Sequence, residues 1–329
     1  MNILLTGGAG YIGSHACLSL LNSGFNITVV DDLSTGYKKL IPKGVDFVKT
    51  NINDTKTLNT IFNKKKYDVL IHFAGFIRVE ESVKFPKKYF DNNKKNSKIL
   101  FEYCYEKGIN KIIFSSTAAV YGNPKKKIIE ENTLLNPLNP YGLSKFETEK
   151  KLIQMKKDKK INFMILRYFN VAGADPELKS GLISKNPTHL IKIASEAATG
   201  KREHVTIYGN DYNTPDGTAI RDYIHVCDLV DIHKEAINFL IKKNKSAILN
   251  CGYGKGYSVK EILNEMNKIC NNKIKIKNGN RRPGDAESLI SDVSKLNEFI
   301  NWSPKFNDIE LILKTSINWE KKLKNEKIF

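Results

Sequence analysis

The chain has 329 residues, 41% of them hydrophobic and 27% charged, the balance of a globular protein long enough to bury a substantial core. No apolar run approaches the roughly 20 residues that a bilayer-spanning helix requires, so a membrane span is excluded. The formal charge of +18 invites a polyanionic partner, but the excess is lysine, 47 residues against 6 arginines; this reads as drift of composition, whereas a nucleic-acid site favours the bidentate arginine fork.

From the N-terminus, short β-rich runs at 3–6, 27–31, 45–48, 69–73 and 111–115 alternate with helical-period segments at 12–21, 55–63 and 81–106. A further helix is predicted over 141–156 and a sixth strand over 163–167. Nearly continuous apolar strands alternating with helices predict an α/β fold, a doubly wound parallel sheet with helices on both faces. Beyond about residue 170 the rhythm changes. Residues 172–187 are rich in Gly, Pro and Asp and predict a loop that wraps a ligand. Helices are predicted at 189–199, 226–241, 259–270 and 309–323, with short strands at 205–208, 219–225 and 273–276. The expected division is a first domain over 1–170 and a smaller C-terminal α/β substrate lobe over 171–329, some segments of which return to the first domain.

The lysine runs 64–66 and 125–127 lack interleaved aromatics and read as solvated surface. Cys17, Cys104, Cys227, Cys251 and Cys270 are odd in number, scattered and without a CxxC pair, so neither disulfides nor zinc is expected. With no basic and then apolar leader at the N-terminus, a cytoplasmic location is expected. The six histidines show no ligand spacing, and no metal is expected.

Three motifs carry chemistry. Gly7, Gly10 and Gly13 recur every third residue between the first strand and first helix. The spacing differs by one position from the GxGxxG fingerprint of a Rossmann-type dinucleotide site but shares its physics: glycine permits a tight turn, lets backbone approach a pyrophosphate, and leaves helix N-terminal amides facing negative charge. Asp31 and Asp32 end the second strand about 18 residues further on, where a carboxylate binds a ribose diol and repels a 2′-phosphate, so NAD is expected over NADP. Tyr141 and Lys145 stand at i and i+4 on a predicted helix, which puts phenol and ammonium on one face. The cation is expected to lower the Tyr pKa, making the phenol a general base toward an alcohol. Ser115, Ser116 and Thr117 end the fifth strand, where a doubly wound sheet binds ligands and a hydroxyl can share the substrate proton.

These motifs, with IHFAG at 71–75, SSTAAVYG at 115–122 and RYFNVAGA at 167–174, make the chain resemble the extended short-chain dehydrogenase/reductases. The segment 210–229, NDYNTPDGTAIRDYIHVCDL, and RRPGD at 281–285 narrow the resemblance to the UDP-glucose 4-epimerase family, and it runs from Asn2 to about Trp319. For NAD it implies Gly7, Gly10, Tyr11, Ile12 and Gly13 at the pyrophosphate, Asp31 and Asp32 at the ribose, and Asn51 and Ile52 at the adenine. It further implies Phe73, Ala74 and Gly75 lining the site, Asn92 on the long helix, Lys145 at the nicotinamide ribose, and Phe169 near the nicotinamide. For a UDP-sugar it implies Asn170, His189, Leu190, Thr206, Ile207, Tyr208, Arg221, Arg282, Asp285 and Leu289, with Thr117 and Tyr141 at the sugar 4-hydroxyl. Four of the six arginines, Arg167, Arg221, Arg281 and Arg282, fall in these motifs, as expected if a planar fork grips a diphosphate.

The sequence departs from the family's commonest pattern at Asn51, Ile77, His189 and Leu289. Leu289 stands where a Tyr in some members narrows the sugar pocket, so acceptance of N-acetylhexosamines is open. Ala118 and Ala119 follow Thr117 where the related dehydratases carry an acidic pair, which disfavours elimination. The resemblance implies reversible C4 epimerisation of UDP-galactose and UDP-glucose through a 4-keto sugar, catalysed by Tyr141, Lys145 and Thr117, in a homodimer built on the 81–106 and 141–156 helices. Alternatives are a 4-epimerase of UDP-N-acetylhexosamines, UDP-pentoses or UDP-uronates, or a non-catalytic NAD-loaded sensor or RNA-binding protein.

Overall fold

The computed structural model describes residues 1–271, 273–282 and 285–326; Pro283 and Gly284 of the RRPGD segment lie outside them. Its strands are β1 (Asn2–Thr6), β2 (Asn26–Asp31), β3 (Asp46–Lys49), β4 (Val69–His72), β5 (Lys111–Thr117), β6 (Ile128–Ile129), β7 (Asn162–Tyr168) and β8 (Asn170–Ala172). They continue with β9 (His204–Tyr208), β10 (Ile220–His225), β11 (Ala247–Cys251), β12 (Gly256–Ser258), β13 (Lys275–Gly279) and β14 (Ser288–Ser291).

One sheet runs β3-β2-β1-β4-β5-β7-β11, every neighbouring pair parallel. Successive strand residues point to opposite faces, and both faces are covered, which is why the strands read as unbroken apolar runs. Ile3, Leu5, Val29 and Ile71 pack on one face against the helices Tyr11–Asn22 and Val226–Lys243. Leu4, Val30, Leu70 and Phe114 pack on the other against Thr55–Lys64, Ser97–Glu106 and Pro140–Asp158. Strand order reverses between β1 and β4, and the crevice at their C-terminal ends is where such sheets take ligands. A second group of strands, β12-β10-β14-β6 with β8 on β10 and with β9 paired to β13, is packed by the helices Leu190–Ala198, Val259–Ile269 and Ile309–Asn325.

Two expectations need correction. The 81–106 helix is broken into Val79–Lys84, Pro86–Tyr89, a π-helical stretch Phe90–Asn96, and Ser97–Glu106. Pro86 forces Phe85 off the helical conformation, to φ −131° and ψ 61°. β11 was not read as a strand, yet it closes the edge of the large sheet beside β7. No helix among the described residues is long and apolar enough to cross a membrane.

Candidate active site

At the end of β1 the chain turns with Gly7 at φ +77°, and the backbone of Ala74 after β4 approaches so closely that a Cβ on Gly7 would lie 2.5 Å from Ala74 N. A Cβ on Gly13 would lie 2.1 Å from Gly7 O, so glycine is required at both positions. Gly10 caps the Tyr11–Asn22 helix without a side chain, and its first turn holds no acid, leaving a bare positive helix end for an anion. Asp31 is buried at the tip of β2. Its carboxylate accepts from Ala9 N (3.0 Å) and Leu33 N (2.8 Å), while burial raises its pKa. Asp32 accepts from Ser34 N (2.8 Å) and from Asn51 Nδ2 (3.3 Å), and the Asn51 carbonyl oxygen faces Asn53 N. Ile12 is half-buried on the helix's first turn, whereas Ile52 is taken into the core beside Val30.

Across the crevice, Asn139 caps the Pro140–Asp158 helix by accepting from Gly142 N (2.9 Å), and Pro140 occupies its first position. That start puts Tyr141 at the mouth and Lys145 one turn inward. Thr117 hydrogen-bonds the Tyr141 phenol, and Thr117 Oγ1 itself accepts from Ala119 N (3.2 Å). Lys145 is 2% exposed and donates to Ser115 O (2.8 Å), over the Phe114 ring. A Cβ on Gly75 would lie 3.2 Å from both Lys145 Nζ and Asn93 Oδ1, so Gly75 gives the ammonium its room.

The expected lowering of the Tyr141 pKa by Lys145 is not found: burial raises it, and the opposing influence is the Thr117 hydrogen bond. Burial likewise lowers Lys145 to about 8, and its ammonium points to the Ser115 carbonyl.

Asn92 lies in the π-helical stretch and donates to Asn93 Oδ1 (3.1 Å). Asn93, which sequence reasoning passed over, is the more deeply placed. It accepts from Phe76 N (2.9 Å) and donates to Phe76 O (2.9 Å) and Ser144 Oγ (3.1 Å), tying the loop after β4 to the Tyr141 helix. A repeated Asn in a helical stretch was the available signal.

Phe169 is buried in a cluster with Ala118 and Tyr121, against which Leu289 packs, and Asn170 opens β8. Leu289 also pairs in register with Arg221 on β10. Arg282 stacks on Tyr208, 3.8 Å from the ring centroid, and lies 3.5 Å from Glu80. Asp285 is exposed, and its amide donates to Arg282 O (3.3 Å). His189 caps the Leu190–Ala198 helix through its backbone and, with Tyr11, lines a small cavity reaching Trp319. Thr206 is half-buried on β9, while the Ile207 side chain belongs to the core with Ile191 and Ile312, leaving only its main chain to any ligand.

Arg167 departs from the diphosphate expectation. It forms a buried bidentate pair with Glu149 (2.7 and 3.1 Å) and donates to Tyr121 Oη (2.9 Å). Much of the 210–229 segment is also architecture. Asp222 accepts from Tyr253 N, Gly254 N and Ser291, and Asp228 accepts from Tyr253 Oη, Lys305 N and Phe306 N.

Residues 3–252 match the model of the NAD dependent epimerase/dehydratase family. The chain is 42% identical over 321 residues to the UDP-glucose 4-epimerase of Azospirillum brasilense, covering 98% of this chain and 92% of that protein. It superposes on the Bifidobacterium longum UDP-glucose 4-epimerase, solved in complex with NAD+ and UDP, with a TM-score of 0.93 at 34% identity, covering 99% of each chain. It also superposes on the UDP-Glc/GlcNAc 4-epimerase of Campylobacter jejuni, with a TM-score of 0.85 at 42% identity, covering 98% of this chain and 99% of that one.

Proposed function

The chain belongs to the NAD dependent epimerase/dehydratase family, and from that premise we propose how its residues carry out NAD-dependent epimerisation at C4 of a UDP-hexose, interconverting UDP-galactose and UDP-glucose. The observation that carries the reading is the convergence of Thr117, Tyr141 and Lys145 on the same sheet edge as the glycine turn. The site fits a dinucleotide: Gly7, Gly10 and Gly13 with Tyr11 and Ile12 offer an uncapped helix end to a pyrophosphate, and Asp31 and Asp32 offer carboxylates to a ribose. Bound NAD supplies a reversible hydride acceptor at C4 and a pyridinium charge.

Tyr141 takes the 4-hydroxyl proton. Thr117 orients that proton transfer, since its oxygen already accepts from Ala119 N and its O–H is left to donate toward the phenol or the sugar oxygen. Lys145, with its ammonium held at the Ser115 carbonyl, brings a positive charge to the same strand end. The UDP is held by Asn170, His189, Leu190, Thr206, Tyr208, Arg221, Arg282 and Asp285, so remote contacts anchor a 4-keto sugar while it turns over in the cleft. Residues 1–170 form the cofactor part and 171–329 mainly the substrate part; β11 and the Val226–Lys243 helix, packed on the large sheet, are the returning segments. A cytoplasmic location belongs to the same reading and is supported by five free cysteines.

A second substrate range is favoured by Leu289, whose branched chain leaves more room beside Phe169 than a Tyr, and by the likeness to the UDP-Glc/GlcNAc enzyme. Incubation of the purified protein with UDP-galactose and UDP-N-acetylgalactosamine in parallel, without added NAD, tests both. Catalytic formation of UDP-glucose is expected, with the N-acetyl substrate converted at a comparable rate. Folded protein that forms no UDP-glucose sinks the first reading, and failure on the N-acetyl substrate alone sinks the second.

A further inference from the structure

A buried histidine outside the catalytic set ends a hydrogen-bonded chain that begins at Lys145. Lys145 Nζ donates to Ser115 O (2.8 Å), and the Ser115 side chain hydrogen-bonds the Tyr168 phenol. That phenol meets His233 Nε2 at 2.5 Å, while His233 Nδ1 meets Leu229 O at 2.8 Å. A carbonyl only accepts, so Nδ1 carries the proton, Nε2 is the bare acceptor, and the Tyr168 O–H donates to it. His233 is 0% exposed, and its ring packs on Phe73 with centroids 4.9 Å apart.

We propose that His233 is a positioning residue for the cofactor: it fixes the Tyr168 ring and Phe73 as a rigid wall of the nicotinamide site and, through Ser115, holds the strand end that seats Lys145. The inference rests on the function proposed above. His233 reaches this place from the Val226–Lys243 helix, remote in sequence from every cofactor motif. Burial lowers its pKa to about 4 and raises that of Tyr168, so the pair keeps one donor and one acceptor throughout the neutral range. A fixed tautomer between a carbonyl and a phenol has one orientation, whereas a ring held by packing alone is free to flip.

The test uses His233→Leu, His233→Gln and Tyr168→Phe in the full chain, with NADH dissociation followed by fluorescence alongside steady-state kinetics. His233→Leu is expected to speed NADH release about tenfold and lower kcat about tenfold with KM for UDP-galactose within about twofold, the scale of one lost hydrogen bond. His233→Gln, whose amide oxygen can accept from Tyr168, is expected to restore both to within about threefold. Wild-type release and kcat in folded His233→Leu overturn the proposal. So does a Gln variant as impaired as Leu beside a normal Tyr168→Phe, which makes the role packing alone. Should His233→Leu fail to fold, Tyr168→Phe decides: it keeps the ring and removes only the hydroxyl, so normal release and kcat overturn the proposal. If the wild type converts no UDP-galactose, the function fails, while NADH release still tests the wall.

Discussion

At the scale of single residues, Tyr141 and Lys145 are poised rather than switched on. Burial holds the phenol above its ordinary pKa of 10.0 in spite of the Thr117 hydrogen bond, so in the proposed mechanism a bound cationic ring is what favours the phenolate. Tyr141→Phe should fold and keep its NAD but lose at least about 10² in turnover, the usual scale for a removed general base. Because the active form is the deprotonated one, kcat/KM of the wild type should rise with pH on a limb that the Phe variant lacks. Near-normal conversion by Tyr141→Phe would overturn the assignment. Arg167 teaches the opposite lesson, since an arginine inside a signature motif can be wholly consumed by a buried carboxylate.

At the scale of elements, the interrupted segment between β4 and β5 is the least regular part of the crevice and one of the most informative. The break at Pro86 and the π-helical stretch Phe90–Asn96 rotate Asn93 inward, where it closes on both backbone groups of Phe76. π-helical turns often mark functional sites because the extra residue re-aims a side chain. Asn93→Ala removes the partners of the half-buried Phe76 amide and carbonyl and should cost about 1–3 kcal/mol in urea unfolding. It should also lower NAD content, because Asn93 Oδ1 lies against Gly75 and the space reserved for Lys145. An unchanged unfolding midpoint would show that water replaces these bonds freely.

At the scale of the whole molecule, a buried ion pair ties the C-terminal helix into the substrate part. Lys192 on the Leu190–Ala198 helix is buried in an ion pair with Glu320 of the C-terminal helix, next to Glu196 (3.7 Å). Buried pairs are costly to break singly, so the C-terminal helix is locked to the element that carries His189 and Leu190. We propose a homodimer at the same scale. Leu143 and Ile153 on the Pro140–Asp158 helix and Val83 and Phe85 beside it are exposed apolar residues on one helical layer, a face suited to a second copy. Light scattering after size exclusion should give twice the mass of one chain, and Ile153→Glu should shift it toward one. A single-chain mass for the wild type at micromolar concentration would overturn the assignment.

What the sequence determined by itself follows from local rules. Period-two and period-3.6 patterning is read within a few residues, so most strands and helices, the parallel sheet and the Gly7-Gly10-Gly13 turn were legible before any contact was known. The placement of Tyr141 and Lys145 on one helix and of Thr117 at a strand end was legible as well, because it depends only on local spacing. Burial and long-range pairing were decided by the tertiary structure alone. It placed β11 at the edge of the first sheet, turned Lys145 toward Ser115, spent Arg167 on Glu149, and brought His233 to Tyr168 across 65 residues. A hydrogen bond's partner and a pKa depend on which groups folding has stripped of water together, and a linear pattern carries no distances between them.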